Sequence, residues 1–266
     1  MVLKVNEENI RKNIRGGERL DGRDFKEFRD LEIVPNYINE TADGSALVRL
    51  GDTTVLVGIS TDTGEPYPDR PNQGTIITNA ELTPMASPHY ESGPPGEESV
   101  ELARVVDRGI RESGMVDLED LVIEEGEKCW LVFIDVHVLD YDGNLIDAAS
   151  IGAVTSLLLA QLPEIDEDGL IDRENYQEEL PTHGTPMTVT GSKLEGEILL
   201  DATAEEEEVR DAWLAATLKE SGNVVNMQKG GRKSMTKSET VEILDEAEEK
   251  CEFFREKIQE AVEGAK

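Results

Sequence analysis

The 266-residue chain predicts an α+β fold built as two halves, each running through strands before it ends in a helix. Three observations carry that prediction. Short β-branched runs separated by turn residues fill residues 31–82. A second strand series lies between Pro186 and Gly231. Each series leads on to segments with helical spacing of apolar residues.

Taken in order, residues 6–16 read as a short helix, closed by Gly16-Gly17 and followed by the loop GERLDGRDFKEFR. LEIVPNYI, SALVRL and TTVLVGIST then alternate as strands, with Ala42-Asp43-Gly44 and Gly51-Asp52 as turns. GTIITNAEL is a further strand. A Pro- and Gly-rich loop leads into a helix over about 98–113. DLVIEEG and KCWLVFIDVHVLD form a strand pair, and the near-continuous apolar run of the second implies burial on both faces. Residues 145–162 form an apolar helix.

PEIDEDGLIDRENYQEEL carries eight acidic residues and one arginine in eighteen, the composition of a linker. Beyond it PMTVTG, KLEGEILLD and AWLAATLKESGNVVNMQKGG supply four strands. A last helix opens at Thr236, where Thr-x-x-Glu with Glu239 is a capping box. It carries Leu244, Ala247, Cys251, Phe254, Ile258 and Val262 as a buried stripe. The expected organisation is a leading segment (1–30), a first half (31–163), an acidic linker (164–180) and a second half (181–266). No sequence repeat proves a duplication.

Composition limits what such a fold does. There are 58 acidic against 26 basic residues, a net charge of −32, with only 12 lysines. With its 23 glycines the apolar share is about 47 %, ordinary for a globular core. The excess acid therefore lies outside, as in a protein adapted to a salty cytoplasm, where molar salt shortens the Debye length to about 3 Å. Diffuse electrostatic capture of nucleic acid or of anionic lipid is excluded. Cys129 and Cys251 lack ligand or disulfide spacing and read as buried apolar residues. The N-terminal residues lack a signal-peptide core, and no apolar stretch is long enough to span a bilayer. A soluble cytoplasmic protein is expected.

The segment ESVELARVVDRGIRES is the most informative. At 100° per residue Arg104, Arg108 and Arg111 share one face, opposite Leu102, Val105, Val106 and Ile110. One reading is a surface helix laced with ion pairs, Asp107 being i+3 from Arg104 and Glu112 i+4 from Arg108. The other is a row of guanidiniums tracking a phosphate backbone. Pattern alone favours the first. Lys229, Arg232, Lys233 and Lys237 read as a solvated hairpin end. Arg11, Lys12, Arg15, Arg19 and Arg23 suit a tail, an interface or RNA equally. Glu205–Glu208 with Asp211 reads as a solvated acidic turn before a cation site. His89, His137 and His183 lack catalytic context, and His137 reads as a satisfied core residue.

RLDGR (19–23), GSALVRLGDTTVLVGI (44–59), EPYPDRPNQGTIITNAEL (65–82), GPPGEESVELARVVDRGIRES (93–113) and DVHVLDYDGNLIDAAS (135–150) resemble the RNase PH family. The resemblance is to its non-catalytic branch in the archaeal exosome ring, marked by ELARVVDR and DYDGN, and it extends over nearly the whole chain through MQKGG (227–231) and the last helix. It implies the ribosomal-protein-S5-domain-2-like fold of two pseudo-duplicated β-α halves. It implies a hexameric ring of three heterodimers with a catalytic RNase PH-like paralogue, RNA-binding cap subunits, and 3′→5′ phosphorolysis of RNA.

Catalytic members carry a Gly-Ser-Arg-like phosphate loop where this chain has Gly143-Asn144-Leu145. They carry an arginine pair where it has Glu97 and Glu98, and a carboxylate pair matched at best by Glu205 and Asp211. The resemblance therefore implies no catalytic residue, no metal and no cofactor in this chain. Arg104 and Arg108, with Arg111 at lower weight, would hold RNA beside the partner's active site. Two alternatives remain: an active phosphate-dependent exoribonuclease using Glu205 and Asp211, and a non-enzymatic S5-like RNA-binding module.

Overall fold

Helices and strands in the computed structural model, which describes residues 7–166 and 170–265, follow the periodicities of the sequence. Helix α1 (Glu7–Arg15) leads. Strands β1 (Leu31–Pro35), β2 (Gly44–Leu50), β3 (Thr53–Gly64) and β4 (Thr75–Leu82) come next. They are followed by α2 (Glu97–Ser113), β5 (Val122–Glu124), β6 (Lys128–Asp140) and α3 (Leu145–Leu159). The first sheet has the order β1-β2-β3-β6-β4, with β5 on β6. Its strands pair antiparallel except β4, which runs parallel to β6. A parallel pair needs a crossover, and α2 supplies it, packed on the sheet it spans.

The second half contains β9 (Met187–Leu194), β10 (Glu197–Leu200), α4 (Ala204–Val209), β11 (Ala212–Leu218), β12 (Val224–Gly231) and α5 (Lys237–Ala265). Its four strands form an antiparallel sheet ordered β10-β9-β11-β12. Both halves thus place one helix between strand groups and another at the end, the α+β layout read from the sequence.

The sheets enclose the long helices as a middle layer. Helix α3 packs on β2 and β3 from one side and on β9 from the other. It is apolar all round because both sides are covered, and every residue from Asp147 to Leu157 is buried. A Cβ on Gly152 would stand 2.7 Å from Val57, so glycine is what lets α3 approach the sheet closely. Helix α5 covers β9 and β11 with Ile243, Ala247, Cys251, Phe254 and Ile258. The edge-to-face Phe28–Phe254 pair, centroids 5.0 Å apart, fastens it to the leading segment. Both cysteines are free and buried, as their patterns predicted.

Four expectations need revision. The acidic stretch is strand-paired: β7 (Gln161–Ile165) and β8 (Ile171–Glu179) form a two-stranded antiparallel sheet. Buried Asp43 anchors it, accepting from Arg173 Nη1 at 2.8 Å, Tyr176 Oη at 3.1 Å and Thr61 Oγ1 at 2.7 Å. Strand β6 is covered on one face only, since Val132, Ile134, Val136 and Val138 are buried while Leu131, Phe133, Asp135 and His137 are half-exposed. His137 is accordingly no core residue; its Nδ1 lies 3.3 Å from Glu81 on the open face. Residues 204–209, read as an acidic turn, form α4, capped reciprocally by Thr203 and Glu206.

Among the described residues no helix is long and apolar enough to cross a membrane.

Candidate functional site

Packing on β4 and β12 decides which face of α2 is free. Leu102, Val105, Val106 and Ile110 are buried, and Gly114 ends the helix with φ 69°. Arg104 and Arg108 stand exposed one turn apart. They line an open groove of about 550 Å³ with Pro95, Val100, Glu101 and Gln228. Among the described residues, Arg104, Arg108 and Arg232 are the only arginines of the chain's 14 without an ion pair or side-chain hydrogen bond. In a chain with 58 carboxylates, two adjacent unpaired guanidiniums are a specific feature.

The ion pairing foreseen for this helix is distributed differently. Asp107 pairs with Arg111 at 3.0 Å and not with Arg104. Arg111 Nη2 also donates to the Ile76 carbonyl at 3.0 Å, which ties α2 to β4. Arg111 is thus occupied as a brace, while Arg104 and Arg108 keep their donors.

A second pocket, of about 310 Å³, opens on the other flank of α2, lined by Tyr90, Glu98, Tyr141, Glu207, Glu208 and Trp213 among others. Leu145, from the Gly143-Asn144-Leu145 turn, also lines it. Its charge is largely negative. The one guanidinium, Arg210, lies 5.2 Å over the Trp213 ring and pairs with Glu207 at 2.7 Å. Burial, then the charges of Glu98 and Glu207, push the Tyr90 phenol well above its ordinary range. Burial and Glu207 do the same to Tyr141, whose hydroxyl donates to Glu207 at 2.7 Å. Such a pocket repels phosphate.

The Gly143-Asn144-Leu145 turn faces inward. Gly143 has φ 85°, and a Cβ there would run into the carbonyl of Ala202. Asn144 is buried with φ 56°, its amide donating to Asp147 at 3.0 Å and to Asp201 at 2.9 Å. Asp201 is gripped by Arg29, whose Nη2 and Nε donate to its two oxygens at 2.7 and 2.8 Å, and by Arg23 at 2.8 Å. These contacts hold the Asp201 carboxyl below its ordinary range against the opposing effect of burial. Asp147, fully buried, accepts from Thr190 Oγ1 at 2.7 Å and Thr190 N at 3.1 Å. Burial pushes its carboxyl up to about 7, opposed by those hydrogen bonds and reinforced by Asp201. All these donors are spent inside the protein, and none is offered to a bound anion.

The other sequence candidates resolve as structure. Asp211 is buried in ion pairs with Arg11 at 3.1 Å and Lys233 at 2.9 Å, and Glu205 is exposed. Arg19 is buried against Glu206, and Arg15 pairs with Glu195. Lys229 donates to the carbonyls of Gly231 and Lys233, closing its hairpin end. Among the described residues no group of three or more His, Cys, Asp or Glu side chains is placed to hold a metal ion. The roles of Arg29, Asp43, Asp201 and the Tyr90–Tyr141–Trp213 pocket were not read from the sequence, because each depends on partners distant along the chain.

Two models of the 3′ exoribonuclease family, RNase PH domains 1 and 2, match residues 27–163 and 184–250. The exosome complex component Rrp42 of Archaeoglobus fulgidus is 47 % identical over 264 residues, 98 % of each chain. That of Methanopyrus kandleri is 45 % identical over 260 residues, 97 % of each. A solved structure described as the Archaeoglobus fulgidus exosome with RNA bound to the active site contains a chain 48 % identical, TM-score 0.88. The match covers 94 % of this chain and 96 % of that one. Rice Rrp46, 17 % identical with TM-score 0.70 over 92 % of this chain and 100 % of that one, shares the fold. The chain belongs to the RNase PH family of 3′ exoribonucleases.

Proposed function

We propose that this chain is a catalytically silent ring subunit of an archaeal-type RNA exosome, working in the cytoplasm. In this reading it alternates with a catalytic RNase PH-like paralogue in a hexamer of three heterodimers topped by RNA-binding cap subunits. Its part in 3′→5′ phosphorolysis is to shape the paralogue's site and to grip RNA phosphates with Arg104 and Arg108.

The observation that carries the reading is the division of charge about α2. Unpaired guanidiniums stand on one flank of the helix, and a carboxylate-lined pocket lies on the other. Guanidinium forks suit phosphate oxygens, and short-range contacts of this kind survive salt that abolishes diffuse attraction. Arg111, held by Asp107 and Ile76, braces the helix and is not one of the gripping residues.

The test is to supply RNA and inorganic phosphate to the purified chain, and separately to the chain co-expressed with a catalytic RNase PH-like partner. Nucleoside diphosphates are expected only from the second, together with a stoichiometric ring. Phosphorolysis by the isolated chain overturns the reading, as does failure to assemble with the partner.

A further inference from the structure

Two free guanidiniums on a helix this acidic require an explanation. Glu101 is i−3 and Asp107 i+3 from Arg104, and both spacings bring side chains together on a helix. Either carboxylate could neutralise Arg104, and neither does. Gln228 of β12 donates its Nε2 to Glu101 Oε1 at 3.1 Å. Asp107 is held by Arg111, through Nε at 3.2 Å and Nη2 at 3.0 Å, and by Thr78 Oγ1 at 3.3 Å. Gln228, Glu101, Arg104 and Arg108 line the same groove, so the contact that diverts Glu101 is made beside the Arg104 guanidinium it would otherwise quench.

We propose that Gln228 and Arg111 are positioning residues that hold the carboxylates of Glu101 and Asp107 off Arg104, leaving its guanidinium beside that of Arg108 for RNA phosphate. This rests on the proposed RNA-gripping role and deepens it by naming what keeps the grip open. A neutral amide suits the task at 228. It donates to the carboxylate without adding a cation that would compete for phosphate or an anion that would repel it. Arg111 is suited to the second task because the Ile76 carbonyl holds it against β4, away from the groove.

The test uses the assembled ring with its catalytic partner and a single-stranded RNA, measuring dissociation constants across a salt series. Gln228→Ala frees Glu101 to turn toward Arg104, and is expected to weaken RNA binding by about 2- to 5-fold. It should also lower the slope of log K against log salt by about 0.7, the loss of one phosphate contact on a single strand. Adding Glu101→Gln to that variant restores parental affinity and slope, a rescue that damage to packing would not show. Parental binding by Gln228→Ala overturns the proposal, and so does weakened binding that Glu101→Gln fails to restore. Arg104→Ala with Arg108→Ala is run alongside. Parental binding by that pair overturns the RNA-gripping role itself, whereas weak binding by the pair with parental binding by Gln228→Ala overturns the positioning role alone.

Discussion

Arg19 and Glu206 meet as a bidentate pair, Nη2 to Oε2 at 2.6 Å and Nε to Oε1 at 3.0 Å, with side-chain exposures of 0 % and 4 %. The remaining guanidinium donors reach the carbonyls of Leu200 and Asp201 at 3.0 and 2.8 Å. Removing one partner leaves a buried charge without compensation. Arg19→Ala is expected to cost about 3–5 kcal/mol in denaturant unfolding, and the double variant with Glu206→Leu less than the sum of the singles. Additive losses would show that the two side chains stabilise the fold separately.

Asp147 gives stability a specific pH dependence. An ordinary aspartate titrates near 3.8, and burial raises this one to about 7. Between those values the folded protein holds a proton that the unfolded chain has lost. Its contribution is therefore full below pH 4, declines as pH rises, and is gone above pH 7. Parental stability should fall by about 2–4 kcal/mol from this source between pH 4 and 7.5. Asp147→Asn, whose amide keeps the donor and acceptor pattern of the protonated acid, should lack that component. Identical pH slopes for the two proteins would remove Asp147 from the account.

Arg104 and Arg111 share a helix face, but their losses should differ in effect on stability. Arg104→Ala with Arg108→Ala is expected to lower RNA affinity of the assembled ring by about 10- to 100-fold, with melting temperature unchanged. Arg111→Ala breaks the link to Ile76 and Asp107, and should lower stability by about 1–2 kcal/mol. A fall in melting temperature for the first variant, or none for the second, would reverse the assignments.

Net charge predicts a salt response. At −32 the folded chain repels itself, and raising KCl from 0.1 to 2 M shortens the screening length from about 10 Å to below 3 Å. Melting temperature should rise by roughly 10 °C or more over that range, to be followed by circular dichroism. A flat or falling curve would contradict adaptation to a saline interior.

What was legible in the sequence was whatever depends on local period. Helices α2, α3 and α5 and the strands of both sheets follow their apolar spacing. Helix α4 was hidden because its six residues, AEEEEV, have no apolar stripe, although Thr203 with Glu206 spells a capping box. The β7–β8 hairpin was read as a linker from its charge, since its anchor joins Arg173 to Asp43, 130 residues away. On α2 the sequence identified the arginine face but not the pairing. Whether Asp107 turns to Arg104 or to Arg111 depends on the Ile76 carbonyl, which lies on another element.

The inward-facing braces at Asp201 and Glu206 have an evolutionary corollary. Arg19, Arg23 and Arg29 all end on residues 201–206, so this quarter of the molecule is fastened from within. Glu98 and Glu208, on the rim of the neighbouring pocket, take no part in that fastening. Substitutions on the rim can accumulate without loosening the protein, while the three arginines stay constrained. The chemistry of that cleft and the rigidity of its wall are therefore set by different residues.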